Sequence, residues 1–327
     1  MPALGEFELI ARFFTRPTLE RQGVGDDCAL IDVDSQTLAL TTDMLLEGVH
    51  FLSDVNPNSL GHKALAVNLS DLAAAGARPR CFLLGLALAR ADERWLFEFS
   101  QGMYSLADKY ECALVGGDMT RSARIGESPG GIAISITAIG DVPRALVRGR
   151  AGANIGDDVW VSGRLGDAML GLEIRRGERD LPEVPRAQCF LRMDRPEPRI
   201  ALGRDLLGLA SACADISDGL LGDLGHILER SGVGAEIDAA AIPRSAWTRE
   251  LDAATQLRLV LTGGDEYELV FTAPAAHRGA IAALATEDVP LTRIGRTEEM
   301  QGMRLRGDDG TLIETTLRSF DHFAPRT

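Results

Sequence analysis

The turn Gly23-Val24-Gly25-Asp26-Asp27 delivers two adjacent carboxylates to the start of an apolar run, Cys28-Ala29-Leu30-Ile31. Glycines at 23 and 25 permit positive φ and close backbone approach, and paired aspartates offer the hard oxygen atoms that Mg²⁺ prefers. A lone Gly-Asp-Asp is more often an ordinary Asx turn leading into a strand. What narrows the possible folds is recurrence. Apolar runs meet glycine and acid again at Val115-Gly116-Gly117-Asp118 and at Leu261-Thr262-Gly263-Gly264-Asp265, each expected to be a strand-to-glycine-to-carboxylate turn. A further acid pair stands in Asp215-Ile216-Ser217-Asp218-Gly219, whereas Asp157 and Asp158, in Gly156-Asp157-Asp158, read as turn residues.

At 327 residues and 45% hydrophobic content, the chain can bury a substantial core in one large or two medium domains. Five cysteines, at 28, 81, 112, 189 and 213, form no Cys-x-x-Cys pair, so they read as buried thiols of a reducing compartment, and a cytoplasmic location is expected. Met1 to Ile10 lacks a basic-then-apolar signal pattern and no long apolar run occurs, which argues against secretion and membrane spanning. A net charge of -14 argues against nucleic acid as a partner. An acidic protein can still hold a polyphosphate when a divalent metal lies between the two sets of negative charge. The P-loop, the Rossmann glycine fingerprint, the His-Glu-x-x-His zinc motif and the Gly-x-Ser-x-Gly elbow are all missing, which leaves carboxylate and hard-metal chemistry.

Residues 6 to 14 suit a short helix, and 28–33 with 37–42 suit a hairpin whose second strand ends in Thr41-Thr42-Asp43. Asn56-Pro57 opens a helix that stops at Gly76. Helical spacing puts Lys63, Val67 and Asp71 on one face with Asn68 beside them, a cluster that is either a solvated edge or a site. Asp92 caps another helix with its apolar stripe at Trp95, Phe99, Met103, Leu106 and Tyr110; Tyr104 lies off it, to stack on a ligand or pack elsewhere. With strands at 81–89 and 132–139, four β-rich segments and two helices make an α+β layer that closes near residue 140. The second half is expected to hold helices at 166–174, 198–209, after Gly219 and at 276–285, a loop at 181–185, a strand at 290–294 and a hairpin around 308–310. The helix after Gly219 would bury Leu220, Leu221, Leu224, Ile227 and Leu228, with Ser217 or Asp218 as its cap and a free N-terminus favouring anions.

Taken in order, Gly-Val-Gly-Asp-Asp-Cys-Ala, Thr41-Thr42-Asp43, Val67-Asn68-Leu69-Ser70-Asp71-Leu72, Gly116-Gly117-Asp118 and Asp215-Ile216-Ser217-Asp218-Gly219 closely resemble the motifs of the thiamine-monophosphate kinase family, over nearly the full length. The resemblance implies two α/β-layer domains of the aminoimidazole ribonucleotide synthetase-like fold, at 1–140 and 141–327. It also implies a homodimer whose N-terminal sheets join, and ATP-dependent phosphorylation of thiamine monophosphate to thiamine diphosphate. Carried over by motif, Asp27, Thr41, Thr42, Asp43, Asp71, Asp118, Asp215 and Asp218 would hold several Mg²⁺ ions, with Asp27, Asp71, Asp118 and Asp215 as the catalytic acids. Tyr104, Gly117, Asp118, Arg148 and Ser217 would contact ATP, and His50, Asp265 and Phe320 the thiamine substrate. This chain departs from the family at Asp265-Glu266, where Glu usually precedes Asp; the substrate-side acid is placed at Asp265.

At about 6 Å and an effective dielectric of about 20, each like-charged pair among four converging aspartates costs roughly 3 kcal/mol. Together such pairs rival a domain's whole stability of about 5–15 kcal/mol, so the cluster must bind metal or take up protons. Other readings are a different ATP-dependent synthetase of the same superfamily and a non-catalytic nucleotide or metal sensor. The chain lacks the N-terminal catalytic Cys and C-terminal acceptor Cys that two such synthetases would use.

Overall fold

The computed structural model describes residues 5–14, 26–34, 36–123, 130–146 and 148–323, so the glycines at 23 and 25 lie outside the described residues. Glu6–Leu9 (α1) runs into a π-helical turn, Ile10–Phe14, as the short-helix expectation required. Five strands follow rather than four: Ala29–Val33 (β1), Gln36–Leu46 (β2), Arg78–Leu88 (β3), Ala113–Arg121 (β4) and Ala133–Pro143 (β5). They form one sheet in the order β1-β2-β5-β3-β4, in which only β3 and β4 run parallel. Two helices, Pro57–Ala74 (α2) and Glu93–Lys109 (α3), pack together, with α2 against the sheet.

Both helix starts are capped as the sequence indicates. Asn56 Oδ1 accepts from Ser59 N at 3.1 Å, and Asp92 Oδ1 from Trp95 N at 3.1 Å. Two glycines let the helices cross closely, because a Cβ on Gly61 would fall 1.9 Å from Phe99 O and one on Gly102 1.7 Å from Asn58 O. Helix α2 is buried around most of its circumference, with Leu60, Leu65, Leu69 and Leu72 all at 0% exposure. Such a helix belongs between layers, and each buried leucine contributes roughly 1.5–3 kcal/mol.

The second layer supplies its other side. Asp158–Ser162 (β6), Ala212–Asp215 (β7), Gly234–Asp238 (β8), Leu269–Ala273 (β9), Leu291–Glu298 (β10), Gly302–Arg306 (β11) and Leu312–Ile313 (β12) form a sheet ordered β12-β11-β8-β10-β6-β9-β7. Its helices are Asp167–Arg175 (α4), Glu183–Asp194 (α5), Ile200–Asp205 (α6), Leu220–Ser231 (α7), Ala246–Arg249 (α8), Ala253–Thr262 (α9) and Arg278–Ala282 (α10). Helix α2 touches β7, α5 and α6 of this half, and one core cluster joins its leucines to Trp160, Leu206, Leu269 and Phe271. The chain is therefore two α/β layers sharing a buried helix.

Several local expectations need correction. Strand β2 does not end at Asp43 but continues to Leu46, because β5 pairs with it along its whole length, from Gln36↔Pro143 to Leu46↔Ala133. Gly116-Gly117-Asp118 is no turn; it lies inside β4, where Val115 is the extra residue between the pairs Phe82↔Leu114 and Leu83↔Gly116. Gly117 has φ 148°, and a Cβ there would fall 1.9 Å from Leu84 O, so the glycine serves close strand approach. The segment before Gly263-Gly264 is helix α9, not a strand.

Asp158 is the buried first residue of β6, paired with Arg278 at 2.8 Å and Arg293 at 2.6 Å, while Asp157 does shape a turn by accepting from Asn154 N at 2.9 Å. Helix α5 occupies part of the expected loop, since Pro185 falls in its first turn, where a missing N–H costs nothing. The helix expected over 198–209 is the shorter α6, closed by turns at Leu207 and Leu209.

Candidate active site

Three carboxylates from distant parts of the chain meet where α2 passes the end of β7. Asp27 comes from the turn before β1, Asp71 from the last turns of α2 and Asp215 from the end of β7, and one oxygen of each lies within 4.8 Å of the others. Asp27 Oδ1 accepts from Arg150 Nη2 at 2.7 Å and Nε at 3.2 Å, and Asp71 Oδ2 accepts from the Thr41 hydroxyl. Asp27 Oδ2 and Asp215 Oδ1 are buried and without a hydrogen-bond partner among the described residues. Leaving such oxygens unpaired is costly. Two orphaned oxygens in an all-oxygen donor set fit a hard divalent cation such as Mg²⁺.

The acids pay for this proximity in proton affinity. Burial, followed by the negative charge of Asp27, pushes Asp215 up to about 8. Asp71 is raised by burial and then by Asp43, Asp215 and Asp27. Asp43 reaches about 6 through burial, Asp218 and Asp27, and Asp218 about 6 through burial and Glu6. Strand alternation explains which neighbours face the trio. Asp43, whose N–H donates to Asn68 Oδ1 at 3.2 Å, shares the α2-facing side with Thr41, whereas Thr42 turns away and bonds Ile136 O at 3.1 Å and Thr137 Oγ1 at 2.9 Å.

Asp118 stands apart from the trio. It pairs in register with Gly85, which pairs with Ser135 and that in turn with Met44, 58% exposed, so Asp118 falls in the row facing away from α2. Gly117 falls instead in the row of Leu84, Ile136 and Asp43. Tyr104 is 40% exposed on α3, off the buried stripe. Arg148 is buried, donates Nη2 to Gly203 O at 2.6 Å, and leaves Nε and Nη1 without partners among the described residues.

Neither Ser217 nor Asp218 caps α7: the N-cap is Gly219, whose φ of 110° suits glycine. The N–H groups of Ser217 and Asp218 donate to Asp223 Oδ2 at 3.1 and 3.2 Å, so a first-turn carboxylate already occupies the expected anion position. Leu221 is only partly buried, unlike Leu220, Leu224, Ile227 and Leu228. Asp223 and Arg150 were both missed from sequence. The visible signals were an acid in a helix first turn and a second arginine two residues after Arg148.

A second group lies beside the acids. Lys63 Nζ contacts Asp265 Oδ2 at 2.8 Å, and Tyr267 OH donates to Asp265 Oδ1 at 3.0 Å. Glu266 turns inward, accepting from Gly166 N at 2.7 Å and Ala168 N at 3.3 Å at the start of α4. Asp265 and Tyr267, at φ 63° and 51°, hold the left-handed backbone this reversal needs. His50 and His322 rings lie 5.0 Å apart, Phe320 meets His322 edge-on at 4.7 Å, and Phe320 N donates to Asp218 O at 3.3 Å. His50 Nδ1 accepts from Leu46 N at 3.0 Å, and burial and then His322 lower its pKa, which favours a neutral ring. Phe320, 53% exposed, thus borders Asp218, and the charges of Asp265 and Lys63 act on His50.

Residues 25–142 match the family described as AIR synthase related protein, N-terminal domain, and residues 154–308 match its C-terminal domain. The chain belongs to the AIR synthase related proteins. It is 42% identical over 331 residues to the thiamine-monophosphate kinase of Salmonella typhimurium, covering 98% of this chain and 99% of that one. Within the superfamily the chain belongs to the thiamine-monophosphate kinase family. The crystal structure of thiamine-monophosphate kinase from Stenotrophomonas maltophilia K279a has a TM-score of 0.78 at 43% identity, covering 94% of this chain and 98% of that one. The structure of AaThiL complexed with AMPPCP and TMP has a TM-score of 0.84 at 35% identity, covering 98% and 97%.

Proposed function

We propose that this chain transfers the γ-phosphoryl group of ATP to thiamine monophosphate, giving thiamine diphosphate. The observation that carries this reading is the meeting of Asp27, Asp71 and Asp215, with two orphaned oxygens, beside the Lys63–Asp265 pair. Family membership supports it, as does the AaThiL structure, which was solved with AMPPCP and TMP.

Asp27, Asp71 and Asp215 would hold Mg²⁺, with Asp43, Asp218 and Thr41 adjoining. Mg²⁺, when bound, neutralises charge on the β and γ oxygens during in-line transfer. Arg150 keeps Asp27 aimed at the trio and offsets part of its charge. The acceptor is a phosphate-monoester oxygen with a second pKa of about 6, already largely ionised at neutral pH, so no residue has to remove a proton. His50, Phe320 and Asp265 would receive the thiamine portion, its cationic ring suited to an exposed aromatic and a carboxylate. Tyr104, Gly117, Asp118, Arg148 and Ser217 are assigned to ATP, Asp118 as a ligand on the nucleotide side rather than a fourth member of the trio. Thr42 is assigned an outer, water-mediated role.

The same reading divides the chain at 1–140 and 141–327 and makes it a cytoplasmic homodimer joined through the N-terminal sheet. Exposed Met44, Leu46 and Leu83, which sheet register places in the rows of β2 and β3 facing away from α2, support that face as the contact. Among the described residues no helix is long and apolar enough to cross a membrane. Incubating protein, Mg²⁺, ATP and thiamine monophosphate should produce thiamine diphosphate and ADP in equal amounts. Release of inorganic phosphate alone, or no turnover, would overturn the assignment.

A further inference from the structure

A cleft of about 530 Å³ opens in the second layer, between the β6–α4 connection, α5 and the segment 244–249. None of the residues assigned to the kinase site lines it. Its walls carry five arginines, Arg164, Arg192, Arg199, Arg244 and Arg249, against three carboxylates, in a chain whose net charge is -14. Such a concentration runs against the composition of the protein.

The carboxylates do not balance it. Glu268 is already shared by Arg192 at 2.6 Å and Arg199, whose Nε lies 2.7 Å away. Asp167 accepts from Ser245 at 2.7 Å, Trp247 Nε1 at 3.0 Å and Thr248 at 3.1 Å, and among the described residues it makes no ion pair, the Arg192 charge acting on it only from a distance. Arg244 spends its donors on the neutral oxygens of Ile242, Gln256 and Ala239, which fixes the guanidinium without cancelling its charge. Among the described residues Arg164, Arg244 and Arg249 have no ion-pair partner. Burial and then repulsion from Arg249 lower the pKa of Arg244, and the negative charge of Asp308 offsets only part of that.

Cations held near one another in a concave, partly dry place attract an anion, and planar guanidinium groups match phosphate oxygens in pairs. The volume falls in the range that small molecules occupy. Trp247 adds an aromatic wall beside the charges. We propose that this cleft is a second anion site, separate from the kinase centre, that takes the diphosphate group of a small molecule. Free pyrophosphate, ADP and thiamine diphosphate share that chemistry.

The experiment is calorimetric titration of the metal-free full-length protein, in EDTA, with inorganic pyrophosphate. Without Mg²⁺ the acid trio repels this probe, so binding reports the arginine cleft. We expect one saturable site per chain, weakening at least tenfold in Arg164→Ala/Arg249→Ala, less in Arg164→Lys/Arg249→Lys, and unchanged in Asp71→Asn. Affinity should fall as salt is raised. Absence of saturable binding, equal binding in the double alanine variant, or loss of binding in Asp71→Asn would each overturn the proposal. Displacement of bound pyrophosphate by ADP or by thiamine diphosphate then names the occupant, and displacement by neither assigns the site to the free ion.

Discussion

Lys63 Nζ lies 2.8 Å from Asp265 Oδ2, tying the middle of the buried helix α2 to the loop after α9. The lysine side chain is 5% exposed and the aspartate 36%, so the pair sits at the boundary between core and solvent. A buried cation without its partner costs more than the pair contributes. Asp265→Asn is therefore expected to destabilise the protein by about 1–3 kcal/mol, the exposure of Asp265 keeping the effect below that of a fully buried pair. It should also raise KM for thiamine monophosphate more than KM for ATP. Urea denaturation and initial rates check both; an equal change in the two KM values would remove Asp265 from the substrate side.

Asp71→Asn and Asp215→Asn separate stability from function. Each replaces an acid that, once ionised, stands in a group whose oxygens meet within 4.8 Å, where a like-charged pair costs roughly 3 kcal/mol at an effective dielectric of about 20. The metal-free variants should melt at or above the wild-type temperature, while turnover falls at least about a hundredfold, the scale on which charge stabilisation in transfer sites is measured. Wild-type turnover in either variant would exclude that residue from the metal set.

How much of this was readable beforehand depends on the range of the interaction. The 3.6-residue period placed Lys63, Val67 and Asp71 on one face of α2 with Asn68 beside them and left open a solvated edge or a site; the structure gives Lys63, Asn68 and Asp71 partners there: Asp265, Asp43 and the acid trio. Caps at Asn56 and Asp92 are local and were equally visible. Strand limits were not, because β2 and β4 extend only through ladders to β5 and β3, which the segments themselves do not encode. For the same reason Asp118 was grouped with acids from which sheet register separates it. Arg150 and Asp223 escaped notice because their partners lie across the fold or inside a cap that glycine shares.

The raised carboxyl groups predict an inverse pH dependence for the metal-free protein. Asp43 at about 6 and Asp215 at about 8 hold protons in the folded state that an unfolded carboxylate, near 3.9, releases. Their contribution is therefore complete below about pH 4 and is lost as pH rises through 6 and 8. Glu268, lowered to about 2 mainly because Arg199 and Arg192 outweigh the effect of its burial, has the opposite sign and loses its contribution as pH falls toward 2. Between pH 5 and 8.5 the melting temperature in EDTA should decline, and Mg²⁺ should raise it more at pH 8.5 than at pH 5, since metal and proton compete for the same oxygens. Equal stabilisation by Mg²⁺ at both values would contradict the assignment.

Glu266 supplies the sharpest test of the loop that presents Asp265. It is 2% exposed, its Oε1 accepts two N–H groups at the start of α4, and its Oε2 has no partner among the described residues. Burial pushes its pKa up to about 8, so the neutral acid predominates at pH 7. Glu266→Gln keeps the accepting oxygen and the volume and should change stability by less than about 1 kcal/mol. Glu266→Ala frees the α4 N–H groups, opens a cavity and releases the anchor between two left-handed residues, a loss of about 2–4 kcal/mol. Because Asp265 is held in place from that anchor, the alanine variant should also raise KM for thiamine monophosphate while leaving KM for ATP near its wild-type value. Chemical denaturation with steady-state rates decides the matter: matching behaviour of the Gln and Ala variants would show that Glu266 does not position the loop.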